Sequence, residues 1–169
     1  MLFIVCGLPG AGKTTISKDL AMEYGLIHIE VSDLIKRLLL GISVNASYDE
    51  FVKQTLYSRQ KVRFAAEVAA ELRGTQHSTA VVSGFRTIGE IQYLKEQYSS
   101  IVIYLECPYD MRLKRKLESS FLSPFEFSRR TELDISYGTE KIRELADLVV
   151  LNMKTPADCV AEITARLSK

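Results

Sequence analysis

The sequence predicts a three-layer α/β fold: a five-stranded parallel sheet with helices packed on both of its faces. Short apolar runs rich in β-branched residues alternate with longer amphipathic segments along the chain, which is the pattern of parallel βαβ units. A glycine-rich loop joins the first run to the first amphipathic segment, the position at which open α/β sheets bind ligands. Length and composition then limit the chain to a single domain, 1–169. It has 169 residues, 47% of them apolar and 25% charged, enough for one proper core.

The elements follow in order. "LFIVC" (2–6) is a buried strand, and the segment 13–24 after the loop has a helical pattern. "IHIE" (27–30) is a second strand, followed by a helix over 32–40. A long helix is predicted over roughly 48–73, because Tyr48, Phe51, Thr55, Ser58, Val62, Ala65, Ala69 and Leu72 recur at spacings of three and four. Gly74 is its natural stop. That stripe packs on the body and leaves Arg59 and Arg63, one turn apart, on another face. "AVVS" (80–83) and "IVIYLE" (101–106) are the next strands, with helices at 88–98 and 109–118. "ESSFLSPFEFS" (118–128) is the least regular stretch, and Pro124 with its serines reads as a loop between two helices. A helix over 125–145, the strand "LVVL" (148–151) and a helix over 157–168 complete the chain.

Composition excludes several classes of function. A net charge of +1 gives no bulk attraction to nucleic acid or anionic membrane. The tyrosines and phenylalanines are dispersed, without the basic-aromatic pattern of single-strand binders. No apolar run approaches the ~20 residues that span a bilayer, and the N-terminal run lacks a basic flank and a cleavage site. A cytoplasmic protein is expected, with neither nucleic acid nor membrane as partner; the oligomeric state is left open. Cys6, Cys107 and Cys159 form no CxxC pair and have no histidine at metal-ligand spacing, so neither a zinc site nor a disulfide framework is expected. Cys6 reads as a small core residue, and His28 and His77 as structural.

Chemistry enters at "GLPGAGKT" (7–14), which fits G-x-x-x-x-G-K-S/T in every fixed position and lies between a strand and a helix. Gly7, Gly10 and Gly12 let the backbone N–H groups of the loop, Pro9 and Ala11 included in its course, turn inward around a phosphate. The helix that opens at Lys13, Thr14 and Thr15 aims its positive dipole end at the same anion. Lys13 bridges the β- and γ-phosphates of a nucleoside triphosphate, and the Thr14 hydroxyl is a ligand for the accompanying Mg²⁺. This is the P-loop NTPase signature, and ATP with Mg²⁺ is the expected ligand.

Beyond the loop the chain resembles the P-loop nucleoside-monophosphate kinase group, most closely the adenylate-kinase-related and dephospho-CoA-kinase-like proteins. "VSDLIKRLL" (31–39) is similar to the segment in which those kinases carry an Asp after the second strand. "VVSGFRT" (81–87) is similar to the segment whose arginine holds the acceptor phosphate, and "MRLKRKL" (111–117) to the R-x-x-R helix leading into a mobile lid. "FSRRTELDISYG" with "ADLVVLN" (127–138, 146–152) resembles the second lid arm, the last strand and an Asn turn near the adenine.

The resemblance implies a small helical lid at about 112–130 and acceptor-binding helices at about 32–73. It assigns Arg86 to the acceptor phosphate, with Gly84 beside it. Arg112 and Arg115 go to the donor side, Arg130 to the transferring phosphoryl, and Asn152 to the neighbourhood of the adenine. An acceptor end of Lys36 or Arg37, with Arg59 and Arg63, completes the set. Arginine suits such work because its planar fork binds two phosphate oxygens at once. The implied activity moves the γ-phosphoryl of ATP to a small phosphorylated acceptor, a nucleoside monophosphate such as AMP. Dephospho-CoA is the alternative acceptor, and an NTPase or regulator without acceptor the alternative class.

Three features depart from the family pattern. Ser83 stands where an Asp that organises Mg²⁺ is usual, which leaves Thr14, water and Asp33 for the metal. Lys36 stands where an acceptor-side arginine is usual, with Arg37 adjacent. The lid tip lacks the usual arginines and aspartates. Several residues keep two readings. Asp33 is either a charge at a helix start or a catalytic base and metal organiser. Arg59 and Arg63 are either solvated, with Arg63 and Glu67 an i,i+4 pair, or part of the acceptor end. Arg129 and Arg130 are neighbours on a helix, so only one of them faces the site.

Overall fold

In a computed structural model, residues 1–41, 46–75, 79–120 and 122–168 are described; the reading of His77 falls outside them. Five strands form one parallel sheet in the order β2-β3-β1-β4-β5. They are β1 Leu2–Cys6, β2 Ile27–Glu30, β3 Ala80–Ser83, β4 Ser100–Glu106 and β5 Leu148–Leu151. All five expected strands are present, because each is a short β-branched run bounded by polar or glycine residues.

β1 is the central strand, and all five of its residues are buried. Its side chains divide by the two-residue period of a strand. Leu2, Ile4 and Cys6 join a core with α2 (Val31–Leu40), α3 (Tyr48–Leu56), α4 (Arg63–Gly74) and α5 (Ile88–Lys95). Phe3 and Val5 join the core on the opposite face, with α1 (Lys13–Tyr24) and α8 (Pro156–Leu167). The sheet is therefore covered on both sides. α6 (Tyr109–Ser119) and α7 (Pro124–Tyr137) pack against each other beside it, with the Tyr109 and Phe127 ring centroids 5.6 Å apart.

Three helices are shorter than expected: α5 stops at Lys95 instead of 98, and two longer stretches are interrupted. The stretch 48–73 is broken between α3 and α4, at residues 57–62. The Ser58 hydroxyl donates to Thr55 O at 2.8 Å and accepts from Gln60 N at 2.9 Å, a side-chain turn that competes with the helical ladder. The break changes the buried set: Leu56 and Phe64 enter the core instead of Ser58 and Val62. The stretch 125–145 ends as an α-helix at Gly138, which adopts φ 94° and donates its N–H to Asp134 O and Ile135 O. A short 3-10 helix, Thr139–Leu145, carries the chain on to β5. Glycine at the position just past a helix accepts this left-handed conformation without Cβ strain.

Candidate functional site

Parallel strands deliver their carboxyl ends to one edge of the sheet, and the glycine loop, Glu30, Ser83 and Glu106 all lie there. Along that edge a cavity of about 1110 Å³ runs from the loop to α2, α3 and α7. Gly7, Pro9, Gly10, Gly12, Lys13, Thr14 and Thr15 are among the residues that line it.

The loop is braced from behind. Gly10 has φ 80°, and a Cβ on it would lie 2.6 Å from Arg112 O; on Gly12, at φ 94°, it would lie 2.5 Å from Asn152 Nδ2. Both positions require glycine, for conformation and for space. Arg112 is buried, donating from Nε to Cys107 O at 3.1 Å and from Nη1 to Pro9 O at 3.0 Å. The rings of Tyr109 and Phe127 lie 5.5 and 5.7 Å from its guanidinium carbon. Asn152 is also buried and donates to Ala11 O at 2.9 Å. Arg112 and Asn152 thus shape the loop, and neither is among the residues that line the cavity. Arg115 does line it, while donating to Asn152 O at 3.1 Å and to Cys107 Sγ at 3.4 Å.

Lys13 folds over its own loop, donating to Gly7 O at 2.7 Å and Leu8 O at 3.1 Å. Burial lowers its pKa, and the Asp134 and Glu30 carboxylates pull in the opposite direction without restoring the ordinary value.

The carboxylate that reaches Thr14 is Glu30. Thr14 Oγ1 donates to Glu30 Oε2 at 2.8 Å, and Ser83 Oγ donates to the same oxygen at 2.9 Å. Sequence reasoning passed over Glu30 as the last residue of a strand. Its signal was a charge at the carboxyl end of an otherwise apolar strand. A hydroxyl and a carboxylate converging beside the phosphate loop are hard oxygen donors, and Mg²⁺ is commonly held by one or two carboxylates together with substrate phosphates. The donor set fits Mg²⁺. Asp33 is turned elsewhere: Lys36 donates to it at 2.8 Å, which lowers the Asp33 pKa, and both side chains are exposed.

Arg86, also on the cavity lining, is nearly enclosed. Its Nε donates to Asp134 Oδ1 at 3.0 Å and its Nη2 to Tyr48 OH at 3.3 Å. Burial opposes its charge, but Asp134 and Tyr48 more than offset this, and its pKa stands above the ordinary value. Gly84, Lys36, Tyr48, Asp134 and Tyr137 line the cavity too, as does Arg130 of α7. The sequence marked Tyr48 only as part of a helix stripe that packs on the body, and Asp134 not at all. Of the adjacent arginines, Arg130 faces the cavity and Arg129 pairs with Asp49 at 3.1 Å.

Three proposed acceptor residues lie elsewhere. Arg37 pairs with Glu71 at 2.6 Å. Arg63 lies 5.5 Å above the Phe51 ring and 4.0 Å from Glu67. Arg59 is exposed in the turn between α3 and α4. None of the three lines the cavity.

Comparison with known proteins agrees with this architecture. A family model described as "AAA domain" matches residues 6–121. The adenylate kinase of Mycoplasmopsis pulmonis is 28% identical over 121 residues, covering 67% of this chain and 56% of that protein. The adenylate kinase of Chlamydia pneumoniae is 32% identical over 138 residues, covering 73% of this chain and 61% of that protein. The chain thus spans a little over half the length of these curated relatives. A shikimate kinase from Aquifex aeolicus shares the fold, with a TM-score of 0.62 at 18% identity, over 99% of this chain and 96% of that one. Residues 6–121 hold the phosphate loop, Glu30, Ser83, Arg86 and the helix of Arg115, and the chain belongs to this AAA-domain family as a relative of the P-loop kinases.

Proposed function

We propose that this chain is an ATP-dependent phosphotransferase that moves the γ-phosphoryl group to a small acceptor, a nucleoside monophosphate such as AMP. The observation that carries the reading is that Lys13, Thr14, Lys36, Arg86 and Arg130 all line one cavity. Two ligands meeting head to head in such a space have their reacting phosphoryl groups flanked by cations.

In this reading the loop amides and Lys13 hold the donor phosphates, and Arg115 lies on the donor side. Thr14 and Glu30 would hold Mg²⁺, which would supply positive charge to offset the negative charge that spreads over the phosphoryl oxygens in transfer. Arg86 orients the acceptor from its seat on Asp134 and Tyr48, and Arg130 meets the transferring group. The protein's work is positioning and electrostatic stabilisation, not covalent chemistry. Closure of α6 and α7 over the cavity would exclude water, directing the phosphoryl to the acceptor instead of to hydrolysis.

One observation favours a second reading. Arg86 is already paired with a carboxylate that lines the cavity, and a carboxylate there suits a hydroxyl acceptor, whose proton it takes. Dephospho-CoA is an acceptor of that kind. Incubation with γ-labelled ATP decides between them. Label in ADP formed with AMP supports the main reading, and label in CoA formed from dephospho-CoA supports the second. Release of free phosphate at a rate no acceptor changes would make the chain an NTPase.

A further inference from the structure

β2 and β3 are paired so that Glu30 and Ser83 are register partners, and His28 lies two residues earlier on β2. The two-residue period of a strand places His28 and Glu30 on the same face. That face carries three polar contacts in series. His28 Nε2 is 2.8 Å from Ser83 Oγ, Ser83 Oγ is 2.9 Å from Glu30 Oε2, and Thr14 Oγ1 is 2.8 Å from the same Oε2.

Chemistry sets the direction of the series. An ionised carboxylate only accepts, so the single hydroxyl proton of Ser83 goes to Glu30. The Ser83 oxygen is then left with lone pairs, and His28 must present an N–H to it from Nε2. Ser83 is fully buried, so a hydroxyl rotated away from Glu30 would lose this bond without water to replace it. His28 therefore holds the hydroxyl in the orientation that grips the carboxylate. Oε2 receives both donors, and Oε1 lies against Gly84, where an added Cβ would come within 2.7 Å. Glu30 is consequently pinned by one oxygen, and the missing side chain of residue 84 leaves room beside the other.

We propose that His28, acting through Ser83, is a positioning residue that aligns Glu30 for the metal–nucleotide complex, so that a carboxylate from β2 serves where the β3 residue is a serine. This rests on the reading of Thr14 and Glu30 as the metal-binding pair. Outer groups that orient a liganding carboxylate typically contribute about 10–100-fold to metal affinity or activity. Such a group reveals itself by changing the metal rather than the nucleotide dependence.

The test measures Mn²⁺ binding by electron paramagnetic resonance, in the presence of a non-hydrolysable ATP analogue, for wild type and variants. Metal-free nucleotide affinity and melting temperature are followed alongside. His28→Ala and Ser83→Ala should each weaken Mn²⁺ binding about tenfold or more. His28→Gln, which keeps an N–H donor, should restore most of the affinity. The double variant should lose no more than Ser83→Ala alone, as expected of residues acting in one chain. Variants that lower only the melting temperature, or His28→Ala and Ser83→Ala losses that add independently, would overturn the proposal. Absence of Mn²⁺–nucleotide binding by the wild type would instead sink the reading of the site on which it rests.

Discussion

Arg86 Nε donates to Asp134 Oδ1 at 3.0 Å, with the two side chains only 17% and 15% exposed. Charge-assisted hydrogen bonds of this kind contribute roughly 1.5–3 kcal/mol. Asp134→Asn should lower the melting temperature by several degrees, since each kcal/mol corresponds to about 2–4 °C in a chain of this size. Its kinetic effect separates the two acceptors. Transfer to AMP should survive or improve, because Arg86 is freed for phosphate. A loss of about 10²-fold or more is what removal of a general base produces, and it would establish the hydroxyl acceptor.

Removal of the Arg86 side chain acts on the other partner. Arg86→Ala should raise the KM for the acceptor while leaving ATP affinity close to wild type, since the loop is braced by Arg112 and Asn152 instead. Calorimetry with each ligand separately checks this. Equal loss of both affinities would place Arg86 in the wrong subsite.

Lys13→Ala should reduce turnover by at least about 10²-fold, the cost of removing one preorganised donor at developing charge. The fold should persist, because among the described residues Lys13 donates to Gly7 O and Leu8 O alone. Circular dichroism together with single-turnover transfer distinguishes lost chemistry from lost structure.

Gly12→Ala should weaken nucleotide binding and destabilise the protein by roughly 1–3 kcal/mol, the usual cost of a non-glycine residue held at strained φ. The new Cβ meets Asn152 Nδ2 at 2.5 Å, so the clasp on Ala11 O must open. Gly25→Ala provides a control at positive φ: a Cβ there meets nothing within 4 Å. It should cost stability but not nucleotide affinity, which chemical denaturation and calorimetry read separately.

The cysteines should react in a fixed order. Burial pushes the Cys6 thiol up to about 12 and the Cys159 thiol up to about 11, so both are almost wholly protonated at neutral pH and inert to alkylation. Cys107 is only partly buried and accepts from Arg115. Its pKa is also raised by burial, with Arg115 and Arg112 opposing the shift. Iodoacetamide should label Cys107 first, and ATP should slow the labelling if Arg115 adjoins the bound nucleotide. Peptide mass spectrometry reads both the order and the protection.

The phosphate loop was legible because everything it needs is contiguous: three glycines, a lysine and a threonine at set spacing after an apolar run. The strands were legible for a similar reason, since burial on both faces demands continuous β-branched runs. Gly138 carried an equally local helix-stop signal, yet the amphipathic pattern on either side of it masked the break. The turn at Ser58 left a fainter trace, because serine is tolerated both in a helix and in a side-chain turn.

Sequence alone determined that a phosphate-loop motif stands between the first strand and the first helix, because the glycines, lysine and threonine that define it lie within eight consecutive residues. Tertiary structure decided which distant charges serve it. Glu30 reaches Thr14 only because β2 pairs with β3 in register, and Asp134 meets Arg86 across 48 residues of chain. It also sent Arg112 to the loop's back and Arg130 to the cavity, a division that identical side chains cannot announce. Coulomb energy depends on separation and burial, and for residues far apart in the chain packing sets both.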